Sequence, residues 1–395
     1  MRVALPSDRA SILPVPDADA LAHSRACVAM LRAEIAAAGG WLSFARYMDR
    51  ALYAPGLGYY AAGARKFGVA GDFVTAPEIS PLFGRCLARA AEDTVRGAKG
   101  DVLELGPGSG KLARDVLVEL DTCNALPNRY LMLEVSADLR ERQRALLRGL
   151  PGHLFDRIEW CDALPQNFRG AVLANEVLDV IPVHLLLRKG SEWHERGVTA
   201  KGDAFAWEDR VCGDAPLIEQ ARFIETQCFA GAIPEGYLVE LCPQASALVS
   251  SLGAAMAEGV MLWIDYGFRA SEFYHPSRHM GTLMCHYRHY AHPDPFLYPG
   301  LQDITAHVDF SSVAHAGAAA GLDVAGYTSQ ANFLIAAGLA DLLPRDAGTA
   351  VHMRMAQEIQ RLTSPAEMGE LFKVIGFCKG GAEIPTFIKA RPLPL

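Results

Sequence analysis

The sequence predicts an α/β fold in which a parallel sheet is covered by helices on both faces. Short apolar stretches that suit buried strands alternate with helical stretches through the middle of the chain, as they do in parallel sheets. A glycine-rich turn follows the first strand of this series directly, and carboxylates follow the next ones. Of the 395 residues, 51% are hydrophobic and 21% are charged, which excludes a disordered polyelectrolyte.

The N-terminal quarter is predicted to be mainly helical. Residues 1–23 are rich in Pro and Asp and are predicted to be poorly ordered, with Ser24 as the N-cap of a helix that ends at Gly39-Gly40. A second helix is predicted from Ser43 to about residue 52. The glycine-rich stretch 54–80 has little periodicity, which indicates a lid or binding loop before a helix that Pro81 opens.

The rest of the chain carries the sheet. Strands are predicted at 102–105, 130–134, 158–161, 171–174, 237–241, 260–264, 322–327 and 373–377, helices at 111–120, 136–147, 244–257 and 311–320, and a hairpin insertion at 191–210. We therefore expect three units: a flexible N-terminus (1–23), an N-terminal helical region with the binding loop (24–96), and a sheet domain (97–395) with insertions near 188–235 and 268–310.

Composition excludes several classes of partner. Asp and Glu number 45 against 37 Lys and Arg, and no basic run offers a surface for a nucleic acid backbone. The nine cysteines are scattered without a Cys-x-x-Cys pair, which is typical of reduced thiols. No apolar run approaches the roughly 20 residues that a membrane helix needs, and the first residues lack the pattern of a signal peptide. We expect a cytoplasmic protein, or one of the mitochondrial matrix in a eukaryote, without a membrane span.

The turn at Gly106-x-Gly108-x-Gly110 is the predicted ligand site. Its glycines permit a tight turn, and the N–H groups at the start of the next helix face whatever is bound. A phosphate-binding P-loop is excluded for two reasons. Only three residues separate Gly106 from Gly110, where a P-loop has four, and Leu112 stands in place of the serine or threonine that binds magnesium. A dinucleotide fingerprint requires glycine or alanine where Lys111 stands, which weakens that alternative but leaves it open.

With Glu104 two residues before it, the turn resembles the first motif of class I S-adenosylmethionine-dependent methyltransferases. Glu134, at the end of the next strand, then suits both ribose hydroxyls, and Asp162, past the following strand, suits the adenine amine. The alternative is that both acids only cap the helices that follow them.

Several longer strings resemble the MidA-like methyltransferase family, whose mitochondrial members are complex I assembly factors. The resemblance runs in order over about residues 43–310 and includes Gly71-Asp-Phe-Val-Thr-Ala-Pro-Glu-Ile-Ser80, Ala174-Asn-Glu-Val-Leu-Asp-Val-Ile-Pro182, Ile264-Asp-Tyr-Gly267 and Asp303-Ile-Thr-Ala-His-Val-Asp309. It implies a Rossmann-like class I methyltransferase sheet with an N-terminal helical region and inserted substrate-side segments. It also implies S-adenosyl-L-methionine as cofactor and, as substrate, an arginine on a subunit of NADH:ubiquinone oxidoreductase (complex I).

An arginine nucleophile requires carboxylates that orient the guanidinium and accept its proton. We predict Glu176 as the guanidinium anchor, Asp179 as its support and Asn175 beside the methionine part of the donor. The alternative is that Glu176 and Asp179 only charge the first turn of a helix.

Thr75 and Glu78 are predicted to close over the donor, and His292 is predicted to contact substrate on the catalytic side. Five histidines between residues 275 and 292 match no standard zinc spacing, so no metal is predicted.

Three other functions stay open. These are a noncatalytic S-adenosylmethionine-binding assembly factor, a small-molecule methyltransferase and, more distantly, an NAD-dependent oxidoreductase. A noncatalytic factor would bind the donor without turnover, and a small-molecule enzyme would need a closed apolar pocket in place of an acidic groove.

Overall fold

A computed structural model describes residues 13–62, 74–98, 100–229, 233–344, 346 and 348–395. The helices are α1 Ala18–Ala37, α2 Phe44–Tyr53, α3 Ala76–Ile79, α4 Pro81–Ala98, α5 Lys111–Thr122, α6 Ala137–Leu147, α7 Gly152–Phe155, α8 Ala215–Cys228, α9 Pro243–Ala255, α10 Ala270–Phe273, α11 Phe310–Ala319, α12 Gln330–Ala336, α13 Thr349–Thr363, α14 Met368–Leu371 and α15 Pro385–Lys389. The strands are β1 Leu42–Ser43, β2 Asp101–Leu105, β3 Tyr130–Leu133, β4 Ile158–Cys161, β5 Phe168–Asn175, β6 His184–Lys189, β7 Glu192–Lys201, β8 Ala204–Val211, β9 Leu238–Leu241, β10 Met256–Phe268, β11 Met284–Tyr287, β12 Tyr290–His292, β13 Asp303–Thr305, β14 Val308–Asp309, β15 Asp323–Ser329 and β16 Phe372–Lys379.

The largest sheet has the order β15-β16-β10-β5-β2-β3-β4, with β14 paired to β10. Strands β4, β3, β2, β5 and β10 run parallel, and β16 is antiparallel to both of its neighbours, β10 and β15. The inner parallel strands are mostly buried and apolar, as a sheet covered on both faces requires, whereas the outermost strand β4 is partly exposed. The predicted α/β fold is confirmed.

Two apolar cores flank this sheet. One lies under α4, α5, α12 and α13 and includes Leu87, Val116 and Leu262, while the other lies under α9 and α11 and includes Val249 and Trp263. Helix α4 packs along α5, so it covers the sheet. The region predicted as one N-terminal helical unit is therefore divided, because α4 belongs to the sheet and α1 and α2 pack elsewhere.

A second region, here called the cap region, consists of residues 18–60, 184–241 and 284–305. It contains a sheet of order β1-β7-β6-β9, in which β8 pairs with β7, and a small sheet of order β12-β11-β13. Helices α1 and α2 share one apolar core with both sheets, and Leu31, Leu52, Leu185 and Ile304 meet in it. The hairpin predicted at 191–210 is the β7–β8 pair.

One boundary prediction is wrong. The first helix begins at Ala18 with Asp17 as its N-cap, where the Asp17 carboxylate accepts a hydrogen bond from the backbone N–H of Ala20. Ser24 lies inside the helix and is buried. An acid at an N-cap satisfies the same N–H groups as a serine and also favours the positive end of the helix dipole. Residues 1–12 lie outside the described part of the chain.

Candidate active site

The strand order reverses beside β2, since β3 lies on one side of it and β5 on the other. Ligands of such sheets bind where the order reverses, outside the carboxyl ends of the strands. A cavity of about 600 Å³ lies at this edge. The strand register pairs Leu105 with both Leu133 and Ala174, and Asn175 with Ile264, so the residues that follow these strands reach one edge together.

The glycine turn forms one wall of the cavity through residues 106–109, whereas Gly110 is not among the lining residues. Gly106, Gly108 and Gly110 have φ values of 57°, 53° and 83°, a region that side chains disfavour. A Cβ on Gly106 would lie 3.2 Å from the Val177 side chain, and one on Gly110 would lie 3.3 Å from Gln143. The spacing predicted from sequence therefore reflects both backbone conformation and close packing.

Glu134 is buried and lines the same cavity. Its carboxylate accepts hydrogen bonds from the backbone N–H of Ser136 at 2.8 Å and from the side-chain amide of Gln143 at 3.2 Å. The Gln143 amide also donates to the Gly108 carbonyl at 2.9 Å, and its oxygen accepts from the Trp160 indole at 2.8 Å. Gln143, which the sequence analysis did not single out, thus fixes Glu134 relative to the glycine turn.

The segment before α4 is held against the glycine turn. Thr75 lines the cavity, whereas Glu78 accepts hydrogen bonds from Ser109 Oγ and from Lys111 Nζ, the latter at 2.6 Å. Glu78 therefore anchors the segment and is not among the lining residues. The predicted loop residues 63–73 lie outside the described part of the chain.

Glu176 sits on a strained turn directly after β5. Its φ of 53° is uncommon for a residue other than glycine, and such strain is concentrated at functional sites. Its carboxylate accepts a hydrogen bond from the Asn175 amide at 3.0 Å. One oxygen of the buried Asp265 accepts from the N–H groups of Val177, Leu178 and Asp179 at 2.9–3.2 Å, and thereby fixes the turn.

Burial and mutual repulsion perturb these acids. Loss of hydration and the nearby Asp179 charge raise the pKa of Glu176 to about 8. Burial raises the pKa of Asp179 to about 6, against the opposing effect of a hydrogen bond from the Tyr266 hydroxyl. Burial, together with the charges of Asp179 and Glu176, also raises the pKa of Asp265. Such a cluster favours a bound cation, because a cation relieves the repulsion.

His292 and Asp162 also lie outside the lining of the cavity. In the small sheet, Cys285 pairs with His292 on one side and with Ile304 on the other. Cys285 and Ile304 lie in the core of the cap region. His292 shares their face and is therefore buried there. His286, one position along, lines the cavity. His292, predicted to contact substrate, and His286 thus lie on opposite faces of the small sheet, because strand residues alternate between faces.

Asp162 directly follows β4, with its side chain 88% exposed, and it pairs with Arg140 at 2.7 Å. It is not among the lining residues, where Leu133, Val135 and Leu139 occupy this end of the cavity. The exposed position arises because β4 is the outermost strand of the sheet.

Other lining residues were not assigned from sequence. Tyr266 and His307 line the cavity together with Tyr53, Tyr60 and Asp303. The Ile264-Asp-Tyr-Gly267 string carried a usable signal. Ile264 of β10 pairs with Asn175 of β5, so Asp265 and Tyr266 come next at the same edge as Glu176. Among the described residues, no group of three or more His, Cys, Asp or Glu side chains has the geometry of a metal site.

The residues present fit S-adenosylmethionine. Two cavity features are suited to its methionine part: the close backbone of the glycine turn, and the buried oxygen Oδ1 of Asn175, which has no hydrogen-bond partner. The Glu134 carboxylate is suited to accept hydrogen bonds from ribose hydroxyls. Sheet order, glycine turn and carboxylates together define a class I, Rossmann-like methyltransferase.

The chain belongs to a family described as S-adenosyl-L-methionine-dependent methyltransferases, whose model matches residues 82–328. It shares 46% identity and a TM-score of 0.89 with a protein from Burkholderia thailandensis whose crystal structure contains S-adenosyl-homocysteine, with 96% of this chain and 98% of that chain covered. Family membership decides between the methyl-donor and dinucleotide alternatives in favour of the methyl donor.

Curated relatives are similar over most of the chain. The protein named "Protein arginine methyltransferase NDUFAF7, mitochondrial" is 28% identical in Danio rerio, covering 85% of this chain and 83% of the relative. The human protein of that name is also 28% identical, covering 84% and 79%. In the described part of the present chain, no helix is both long and apolar enough to cross a membrane.

Proposed function

We propose that this methyltransferase modifies an arginine side chain of a protein substrate, a subunit of NADH:ubiquinone oxidoreductase. The relatives named as protein arginine methyltransferases support the reaction, and the resemblance to complex I assembly factors supports the substrate. The observation that carries the proposal is the cluster of cavity-lining acids around Glu176 and Asp179. These acids line the same cavity as the glycine turn and Glu134, here called the donor wall.

The charge of the cavity favours a cation. Its lining includes the acids Glu104, Glu134, Glu176, Asp179, Asp303 and Glu367. Among the described residues, Arg361 is the one lysine or arginine in the lining, and its Nε lies 3.7 Å from Oε2 of Glu367. A neutral small molecule would leave Glu176, Asp179 and Asp303 without an opposite charge, whereas a guanidinium presents five N–H donors to them.

Glu176 is suited to act as both anchor and proton acceptor. When bound, the donor supplies a methyl group on a sulfonium. As the guanidinium nitrogen forms a bond to this carbon, the carbon–sulfur bond breaks and its electron pair stays on sulfur. The nitrogen's proton goes to the Glu176 carboxylate, whose raised pKa makes it a better base than an ordinary glutamate. Asp179, which accepts a hydrogen bond from Tyr266, holds the other side of the guanidinium.

The proposal is tested with methyl-labelled S-adenosylmethionine and respiratory membranes that contain complex I. We expect label in one protein, recovered as methylarginine after acid hydrolysis, and a loss of about a thousandfold or more in Glu176→Gln. Glu159→Gln, which changes a half-exposed acid of β4, is the matched control and should retain activity. S-adenosylhomocysteine affinity reports whether each variant is folded.

Label confined to small molecules, or recovered as methyl-lysine, contradicts the proposal. Donor binding with no transfer to any protein would instead identify a noncatalytic assembly factor.

A further inference from the structure

The small sheet of the cap region presents alternate residues to the cavity. Met284 and His286 of β11 and Asp303 and Thr305 of β13 line it, whereas the intervening Cys285 and Ile304 are buried in the core of the cap region. The register pairs Met284 with Thr305 and His286 with Asp303. Because cross-strand partners point to the same face, this sheet brings a carboxylate of the cap region to the cavity.

Asp303 is buried, at 2% exposure, and lines the same cavity as Glu176 and Asp179. Ala306, just past β13, donates its N–H to the Asp179 carbonyl at 2.9 Å, which fixes the end of β13 beside the turn that bears Glu176. The Asp303 charge also contributes to the raised pKa of Glu176. The two regions therefore both contribute acids to the lining of one cavity.

Two tyrosines of the cap region complete this part of the lining. The Tyr53 and Tyr60 rings stack with centroids 5.5 Å apart and an angle of 17° between their planes. Tyr53 donates its hydroxyl hydrogen to the Val180 carbonyl at 3.0 Å, next to Asp179. Burial and the Asp303 charge raise the pKa of both phenols, so they stay neutral and offer aromatic surface to a cation.

A further observation points to a ligand. Asp179 is 3% exposed and lines the cavity, yet its Oδ1 has no hydrogen-bond partner. A buried carboxylate oxygen without a partner costs free energy unless a donor is supplied. A bound guanidinium would supply that donor.

We propose that Asp303 is a substrate-binding residue, which holds the arginine guanidinium from the cap region while Glu176 and Asp179 hold it from the sheet, with Tyr53 and Tyr60 as the aromatic wall. The inference rests on the proposed function and extends it to specificity. A planar guanidinium can donate to carboxylates on both walls at once, whereas a compact lysine ammonium cannot span them in the same way. Asp303 thus selects arginine over lysine.

The test measures binding of ethylguanidinium and of ethylammonium by calorimetry at constant ionic strength, using the full chain saturated with S-adenosylhomocysteine. We expect the wild type to prefer ethylguanidinium by about tenfold or more, and Asp303→Asn to lose most of this preference. Tyr60→Leu should weaken ethylguanidinium binding by about threefold to tenfold. Glu159→Gln removes the same charge outside the cavity and should keep the preference.

The outcomes separate the two proposals. Wild-type protein that binds ethylguanidinium, together with Asp303→Asn that binds it equally well, overturns the role of Asp303 and leaves the proposed function standing. Wild-type protein that binds neither cation overturns both. Asp303→Glu keeps the charge and should retain part of the preference, and unchanged S-adenosylhomocysteine affinity in each variant shows that the fold is intact.

Discussion

The two walls of the cavity are built in different ways. The donor wall comes from the glycine turn, Glu134 and Gln143, which lie within about forty residues of one another in the chain. The wall of the cap region combines Tyr53 with Asp303, 250 residues apart, and both depend on a core made from three separated segments. Local sequence thus dictates where the donor binds, whereas tertiary packing decides what can receive the methyl group.

Removal of Glu134 tests most directly whether the two walls act separately, and it has the largest expected effect on ligand binding. Glu134→Ala deletes the acceptor for the ribose hydroxyls, and we expect S-adenosylhomocysteine affinity to fall about 100-fold in calorimetry. Ethylguanidinium affinity should change little if the two walls act separately. Asp162→Asn is the matched control and should change donor affinity less than twofold, because its side chain is exposed and paired with Arg140.

If Asp162→Asn weakened the donor as strongly as Glu134→Ala, an adenine contact at Asp162 would be supported and the present account of this end of the cavity would fail. If Glu134→Ala weakened both ligands equally, the two walls would not be separable.

The success and failure of the sequence predictions follow the same division. The glycine turn and Glu134 were predictable because a strand, a turn and a helix leave a local pattern, and the register then aligns successive strand ends. Glu176 was predictable as an acid after β5, but its left-handed backbone was not.

His292 and Asp303 were not predictable in the same way. Which residue of a short strand faces the cavity depends on its register with neighbouring strands, and a shift by one residue reverses the faces. The 268–310 insertion was predicted to be substrate-side, but the acid that it brings to the cavity, Asp303 with His286 beside it, was not singled out.

The pH dependence of cation binding tests the role of Glu176 in the cavity. With a pKa of about 8, Glu176 is mostly protonated at pH 7 in the absence of a cation, so cation binding should release close to one proton. Ethylguanidinium affinity should rise by up to about tenfold per pH unit from pH 6.5 and level off above 8. Calorimetry in two buffers of different ionisation enthalpy measures the release directly.

Glu176→Gln should remove most of this proton release. Equal release in the wild type and the variant would assign the titration to another acid. A flat affinity between pH 6.5 and 8.5 would mean that Glu176 is already ionised in the empty cavity.

The smallest expected effect is on the thermal stability of the folded protein, and it comes from Glu104, two residues before the glycine turn. Glu104 is buried in β2 and accepts a hydrogen bond from the Tyr130 hydroxyl at 2.7 Å, and burial raises its pKa to about 8. In the unfolded chain its pKa is about 4.5, so the folded state binds more protons between pH 4.5 and 8 and loses stability as the pH rises through this window. Glu104→Gln keeps an acceptor for Tyr130 and removes the charge. The Tm of the variant relative to wild type should therefore be higher at pH 8 than at pH 5, by roughly 2–4 °C in thermal unfolding. Asp303→Asn, measured in parallel, separates a stability effect specific to the sheet from one that any buried acid of the cavity produces. A Tm difference between Glu104→Gln and wild type that does not change with pH would show that Glu104 is ionised within the folded sheet.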